Sequence, residues 1–183
     1  MKKRITALGL LWCLSAVMLQ AARVDTVLVR SVAMNKDVKV VYVLPDKAIG
    51  KQACPVVYLL HGYGGNARSW MQLKPELPQM ADEKGIIFVC PDGKNSWYWD
   101  SPENPAYRYE TFVTSELVKY TDGNYATIPD RKARAISGLS MGGHGALWSA
   151  IRHKDVFGAA GSMSGGVDIR PSPQNWGMRK QWG

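Results

Sequence analysis

An α/β fold built on a mostly parallel sheet is what this sequence predicts, and three observations predict it. The chain has 183 residues, 46% of them apolar and 21% charged, the balance of one globular domain that buries a core. Four short apolar runs, Val56–Leu60, 86–90, 133–137 and, more weakly, Ala159–Met163, suit strands covered on both faces. Helix-length segments separate those runs, and strands alternating with helices imply βαβ units.

The chain opens differently. Lys2, Lys3 and Arg4 precede ITALGLLWCLSAVML, fifteen residues without a charge, and the small pair Ala21-Ala22 then gives way to polar Arg23 and Asp25. That is the layout of a signal peptide, which assigns residues 1–22 to the leader, 23–183 to the domain, and the mature protein to a secreted or periplasmic location. The run is shorter than the ~20 apolar residues of a spanning helix, so no membrane span is expected in the mature chain. Cys13 follows bulky Leu11-Trp12, where lipid attachment wants small residues, and no lipid anchor is read there. The formal charge of +8 falls when the leader's three basic residues are set aside, leaving 20 basic against 15 acidic side chains. No run of five or six like charges remains, which argues against a nucleic-acid partner.

Residues 26–31 and 38–44 are rich in β-branched side chains around the turn-like Met34-Asn35-Lys36-Asp37, an antiparallel hairpin in front of the parallel strands. The segment 68–84 reads as helix, split or kinked by Pro75 and Pro78 and stopped at Gly85. The next helix spans 109–120 and stops at Asp122-Gly123, and a third spans 143–153 with Leu147, Trp148 and Ile151 on one side. Cys54 precedes one strand and Cys90 ends another, so in parallel neighbours they lie near opposite ends. Both are expected to be buried thiols without a bridge. The tail after Val167, with Pro171 and Pro173, reads as loop.

The chemistry centres on Gly138-Leu139-Ser140-Met141-Gly142, a G-x-S-x-G pattern between a strand-like and a helix-compatible segment. In that context it reads as a nucleophile elbow. The glycines at 138 and 142 permit a tight strand-to-helix turn that leaves Ser140 projecting, and the helix N-terminus beneath it favours developing negative charge. His61-Gly62-Tyr63-Gly64-Gly65 follows directly on the strand PVVYLL, where a loop would donate a backbone N–H to an oxyanion. The expected hole is the Tyr63 N–H with the Met141 N–H, Gly64 being an alternative donor to Tyr63. His61 is read as pinning this loop.

Four segments in order, LLHGYGGN, FVCPDG, SGLSMGGHGAL and FGAAGSMSGG, resemble the serine esterases related to esterase D, feruloyl and acetyl-xylan esterases and the mycolyltransferases. The resemblance covers roughly 38–168. It implies an α/β-hydrolase fold and hydrolysis of acyl esters through an acyl-enzyme on Ser140. A secreted form with an aromatic segment after PDG looks most like the branch acting on feruloyl or acetyl groups of plant polysaccharide. A thioesterase or S-formylglutathione hydrolase-like enzyme is the nearest alternative, and a catalytically incomplete carbohydrate-binding protein is another.

One departure stands out. The triad of this fold runs Ser, then Asp or Glu, then His along the chain, and no histidine follows His153. His153 lies thirteen residues beyond Ser140 on the same helix, about 20 Å along its axis, out of hydrogen-bond reach. His144, one turn from Ser140, is read as pointing away from the elbow, and Asp168 as a turn residue. The expectation is therefore a fragment, incomplete at its C-terminus, with acid and base beyond Gly183. Trp97 and Trp99, in the loop Lys94-Asn95-Ser96-Trp97-Tyr98-Trp99-Asp100, are candidates either for stacking on a sugar or phenolic group or for packing that loop onto the body. No Cys/His cluster has metal-ligand spacing and no phosphate-binding glycine motif occurs, so neither metal nor cofactor is implied.

Overall fold

The computed structural model describes residues 22–171 and 174–178. The segment read as a signal peptide, apart from Ala22, lies outside the described residues, as does Cys13.

Six strands form one sheet in the order β1-β2-β4-β3-β5-β6. Strands β1 (Arg23–Ser31) and β2 (Lys36–Leu44) make the antiparallel hairpin. Its turn occupies 32–35, closed by the Asn35 N–H on the Val32 carbonyl at 3.2 Å, with Asn35 at φ 48°. Lys36 and Asp37, expected in the turn, instead begin β2, and Ser31 pairs with Lys36. The parallel part is β3 (Val56–Leu60), β4 (Ile87–Pro91), β5 (Arg134–Leu139) and β6 (Ala159–Met163).

Helices cover both faces. After the single turn α1 (Asp46–Ile49), α2 (Ser69–Leu73) and α3 (Leu77–Lys84) replace one long helix, broken at Pro75, while Pro78 is accommodated in the first turn of α3. Gly85, at φ 64°, ends α3 as expected, with the Ile86 N–H on the Ala81 carbonyl and the Gly85 N–H on the Asp82 carbonyl. On the other face a continuous helical segment joins α4 (Tyr109–Thr111), a π-helical turn over Phe112–Glu116, and α5 (Leu117–Asn124). It runs past Asp122-Gly123, because Asp122 is engaged rather than free to stop a helix: it accepts from Arg134 Nη2 at 2.6 Å and Thr127 Oγ1 at 2.7 Å. Helix α6 (Met141–Arg152) lies on the same face.

Period-two alternation sorts the strand side chains between two cores. Val40, Tyr42, Tyr58, Val89 and Ile136 pack with Tyr109, Phe112, Leu117 and Ala146, whereas Val41, Val43, Phe88 and Cys90 pack with Trp70, Leu77 and Ala81. Each fully buried apolar side chain contributes about 1.5–3 kcal/mol, so cover on both faces holds the sheet beneath the loops at its C-terminal end. Cys54 and Cys90 are free and buried. At the sheet's other edge, among the described residues, no strand pairs with the outer side of β6, and every one of its residues is exposed or half-buried. No helix among the described residues is long and apolar enough to cross a membrane.

Candidate active site

Strand β5 delivers the chain to Ser140, which sits at φ 54°, ψ −114° with its side chain exposed, and α6 starts one residue later. Such a backbone costs a non-glycine residue about 1–3 kcal/mol and persists only where neighbours fix it. Here they do. The Ser140 N–H donates to the Met163 carbonyl at the end of β6 at 2.8 Å, and the Ser140 carbonyl accepts from the His144 N–H at 3.0 Å. A Cβ on Gly138 would collide with the Gly142 carbonyl, and one on Gly142 with the carbonyl of Leu60 in β3. The elbow is thus wedged between neighbouring backbones too close for any side chain.

The Met141 N–H is the first of twelve in α6 and lies at the helix end that carries partial positive charge. Across from it, Gly62 abuts the nucleophile: a Cβ there would stand 3.6 Å from Ser140 Cβ. Tyr63 follows, its ring 40% exposed. The Gly64 N–H already donates to Asn95 Oδ1 at 2.7 Å, which leaves Tyr63 as the better placed of the two donors considered from sequence.

His61 pins the loop as expected. Its side chain is buried, Nε2 accepts from the Gly93 N–H at 2.9 Å, and Nδ1, which must then carry the proton, lies 2.8 Å from the Gly62 carbonyl. Its main-chain N–H donates to the Tyr98 hydroxyl at 3.0 Å. Beside it Asp92 is buried, which opposes ionisation, yet hydrogen bonds from the Lys94 N–H at 3.1 Å and the Lys94 ammonium at 2.8 Å, with the Lys94 charge, hold its carboxyl well below the usual range.

His144 is committed on both nitrogens. An indole N–H can only donate, so Nε2 accepts from Trp99 Nε1 at 2.8 Å and the Nδ1 proton goes to the Gly166 carbonyl at 2.7 Å. Burial pushes its pKa down, consistent with a neutral ring. His153 Nε2 lies 2.8 Å from Glu110 Oε1, at the far end of α6 from Ser140. The chain's three histidines are therefore all engaged with groups other than the Ser140 hydroxyl.

Trp97 and Trp99 turn inward rather than line a substrate face. They are 5% and 3% exposed, stacked on each other with centroids 5.7 Å apart, and both meet the His144 ring edge-on. Of the two readings open from sequence, packing is the one their burial matches. Asp168 is exposed and pairs with Arg170 through two contacts of 2.8 Å, a local turn. Sequence reasoning missed Glu110, whose buried carboxylate accepts from Trp148 Nε1 at 2.7 Å, Arg152 Nε at 2.7 Å and His153 Nε2. It also passed over Trp176, exposed in the tail with its ring against that of Tyr63. Among the described residues no three His, Cys, Asp or Glu side chains converge where a metal ion could sit.

Known proteins resemble this chain in sequence and in fold. A family profile described as "Putative esterase" matches residues 31–183. An acetyl esterase of Caldicellulosiruptor saccharolyticus is 28% identical over 132 residues, covering 68% of this chain and 49% of that protein. A diacylglycerol acyltransferase/mycolyltransferase, Ag85A of Mycobacterium leprae, is 34% identical over 154 residues, 79% of this chain and 44% of that protein. The chain thus spans less than half the length of either relative. A solved ferulic acid esterase superposes with a TM-score of 0.73 at 31% identity, covering 87% of this chain and 67% of that one. The architecture is that of the α/β-hydrolases.

Proposed function

The chain belongs to the "Putative esterase" family, and from that premise we propose that it is a serine carboxylesterase whose nucleophile is Ser140. The observation that carries this reading is the exposed Ser140 hydroxyl on a strained backbone at φ 54°, directly before a twelve-residue helix. Ser140 Oγ attacks the ester carbonyl, and the carbonyl oxygen gains negative charge where the Met141 and Tyr63 backbone N–H groups stand ready to donate. The alcohol leaves, and water releases the acid from the acyl-enzyme. Glycines 138 and 142 keep the elbow close to its neighbouring backbones, Gly62 lets the oxyanion loop lie against Ser140, Gly64 turns that loop at φ 76°, and His61 holds it in place.

The hydroxyl proton needs an acceptor. His61, His144 and His153 are each bound elsewhere, so the base is proposed to be a histidine, backed by an aspartate or glutamate, in chain beyond Gly183. Two facts support this: the chain spans less than half of the two relatives described above, and among the described residues β6 has no strand on its outer side. The favoured substrate is a feruloyl or acetyl ester of plant polysaccharide, on the strength of the ferulic acid esterase and acetyl esterase similarities. Export through residues 1–22 fits such a substrate, which lies outside the cell.

The test is turnover of p-nitrophenyl acetate and methyl ferulate by the full-length protein and its Ser140→Ala variant. Loss of about 10⁴-fold or more in kcat is expected, since removing a triad nucleophile leaves only binding and oxyanion stabilisation. Activity that survives the substitution overturns the assignment.

A further inference from the structure

Trp97 and Trp99 turn inward, so of their two candidate roles the loop after β4 takes packing. Two other rings, both exposed, meet each other next to the loop that abuts Ser140. Tyr63 belongs to the loop whose preceding residue, Gly62, abuts the nucleophile, and it is 40% exposed. Trp176 is 57% exposed and meets the Tyr63 ring edge-to-face, with centroids 5.7 Å apart and planes inclined by 68°. The pair makes an open corner in which a flat ring can lie on one face while its edge meets the other, the arrangement aromatic groups prefer.

Scattered exposed hydrophobics are ordinary, so exposure alone says little. What sets Trp176 apart is how its backbone is fixed. Its carbonyl accepts from Trp97 Nε1 at 3.3 Å, and Met178, two residues on, is buried in the core. Gly177 runs at φ 68°, and a Cβ there would lie 3.4 Å from the Tyr63 hydroxyl, so the chain passes beside that hydroxyl. Trp176 itself is at φ 61°, a conformation that is a genuine outlier for a bulky side chain. A tryptophan whose backbone is anchored and strained while its ring stays in solvent is being presented.

We propose that Tyr63 and Trp176 form an aromatic platform beside Ser140 that stacks against a ring of the ester substrate, whether the phenyl ring of its acyl group or the pyranose ring of its sugar. The inference rests on the serine-esterase reading for its location and extends it to substrate selection. Because the Tyr63 N–H is also the proposed oxyanion donor, a ring seated on the platform bears on the same loop that receives the carbonyl oxygen. Ring binding and carbonyl alignment are then one event, and esters lacking a ring lose that help.

The experiment measures equilibrium binding by calorimetry to full-length protein carrying Ser140→Ala, with ferulic acid and methyl β-D-xyloside as separate probes. Trp176→Ala should weaken binding of at least one probe about tenfold, Tyr63→Ala should do likewise, and Trp176→Phe should restore most of it. Ferulic acid responding identifies the acyl ring as the platform's ligand, and the xyloside responding identifies the sugar. Matched thermal midpoints among the variants guard against a folding artefact. If neither probe binds, or if Trp176→Ala binds both as tightly as its parent, the platform is overturned. Labelling of Ser140 by a fluorophosphonate in the unsubstituted protein is scored separately. Absence of labelling refutes the nucleophile, whereas the binding series decides the platform.

Discussion

Replacing His144 by phenylalanine removes two hydrogen bonds and little else. The ring would still fill the space between Trp97, Trp99 and Trp148, whose centroids lie 5.4, 5.1 and 6.0 Å away. Lost are the bond from Trp99 Nε1 at 2.8 Å and the bond to the Gly166 carbonyl at 2.7 Å. At about 1 kcal/mol net for each, the variant should be about 2 kcal/mol less stable at pH 8 by urea unfolding. A pH dependence follows from the same geometry. Burial holds the imidazole pKa below its ordinary 6.5, and a proton on Nε2 would displace the Trp99 bond. The folded value being depressed, this contribution is complete above about pH 6.5 and is lost as pH falls through the folded value, at up to about 1.4 kcal/mol per pH unit. Packed against the ring are the three indoles and the Gly166 backbone; Glu110 and Arg152 meet Trp148, the first through its indole N–H and the second over its ring. The gap between wild type and His144→Phe should therefore narrow between pH 8 and pH 5. A gap below about 0.5 kcal/mol at pH 8, or one of equal size at both pH values, would refute the neutral-bridge reading.

Two other changes probe the frame of the site. Gly142→Ala drives a methyl group into the Leu60 carbonyl, so the protein should lose about 1–3 kcal/mol in urea unfolding and its Ser140 should label more slowly with a fluorophosphonate; unchanged stability and labelling would show that the elbow is not wedged against β3. Glu110→Gln should cost about 1–3 kcal/mol at pH 7. Burial alone would raise the Glu110 pKa, but donors from Arg152, Trp148 and His153 outweigh it and hold it low. Its stabilisation should be present above about pH 4.3 and disappear as pH falls further, so thermal midpoints of the two proteins should converge in acid and differ at neutrality; parallel curves would contradict this.

Much of the frame was legible in sequence because its signals are local. Apolar runs of strand length, the alternation in β1 and β2, the proline between α2 and α3 and the glycine after α3 each act through their own neighbours. The elbow was legible for the same reason, as a strand, two glycines around a serine, and a helix. The aromatic loop was not. Trp97 and Tyr98 take φ of 56° and 60°, and this left-handed pair turns the indoles of Trp97 and Trp99 under the loop, which no propensity of tryptophan foretells. Glu110 was hidden because its three donors sit 38 to 43 residues away in sequence. Trp176 lay in a stretch with no periodicity, and only its contact with Tyr63 gives it a role.

The geometry at Ser140 belongs to three strands more than to five letters. G-x-S-x-G supplies the room, but the backbone is held from both sides of β5: Gly142 abuts the Leu60 carbonyl where β3 ends, and the Ser140 N–H is taken by Met163 where β6 ends. Those contacts exist because β3 pairs Leu60 with Gly138 and β6 pairs Met163 with Leu139, so the three strand ends reach the same level. A one-residue slip of either neighbour would move its carbonyl by about 3.3 Å and turn the pleat over, with the motif unchanged. The strain of the nucleophile is thus maintained by register, and register is set by the two cores on either face of the sheet. It follows that substitutions deep in those cores, such as shortening Tyr58 or Leu59 on β3, should loosen Ser140 without touching it, whereas a glycine-flanked serine in a chain lacking those neighbours would relax out of the left-handed region.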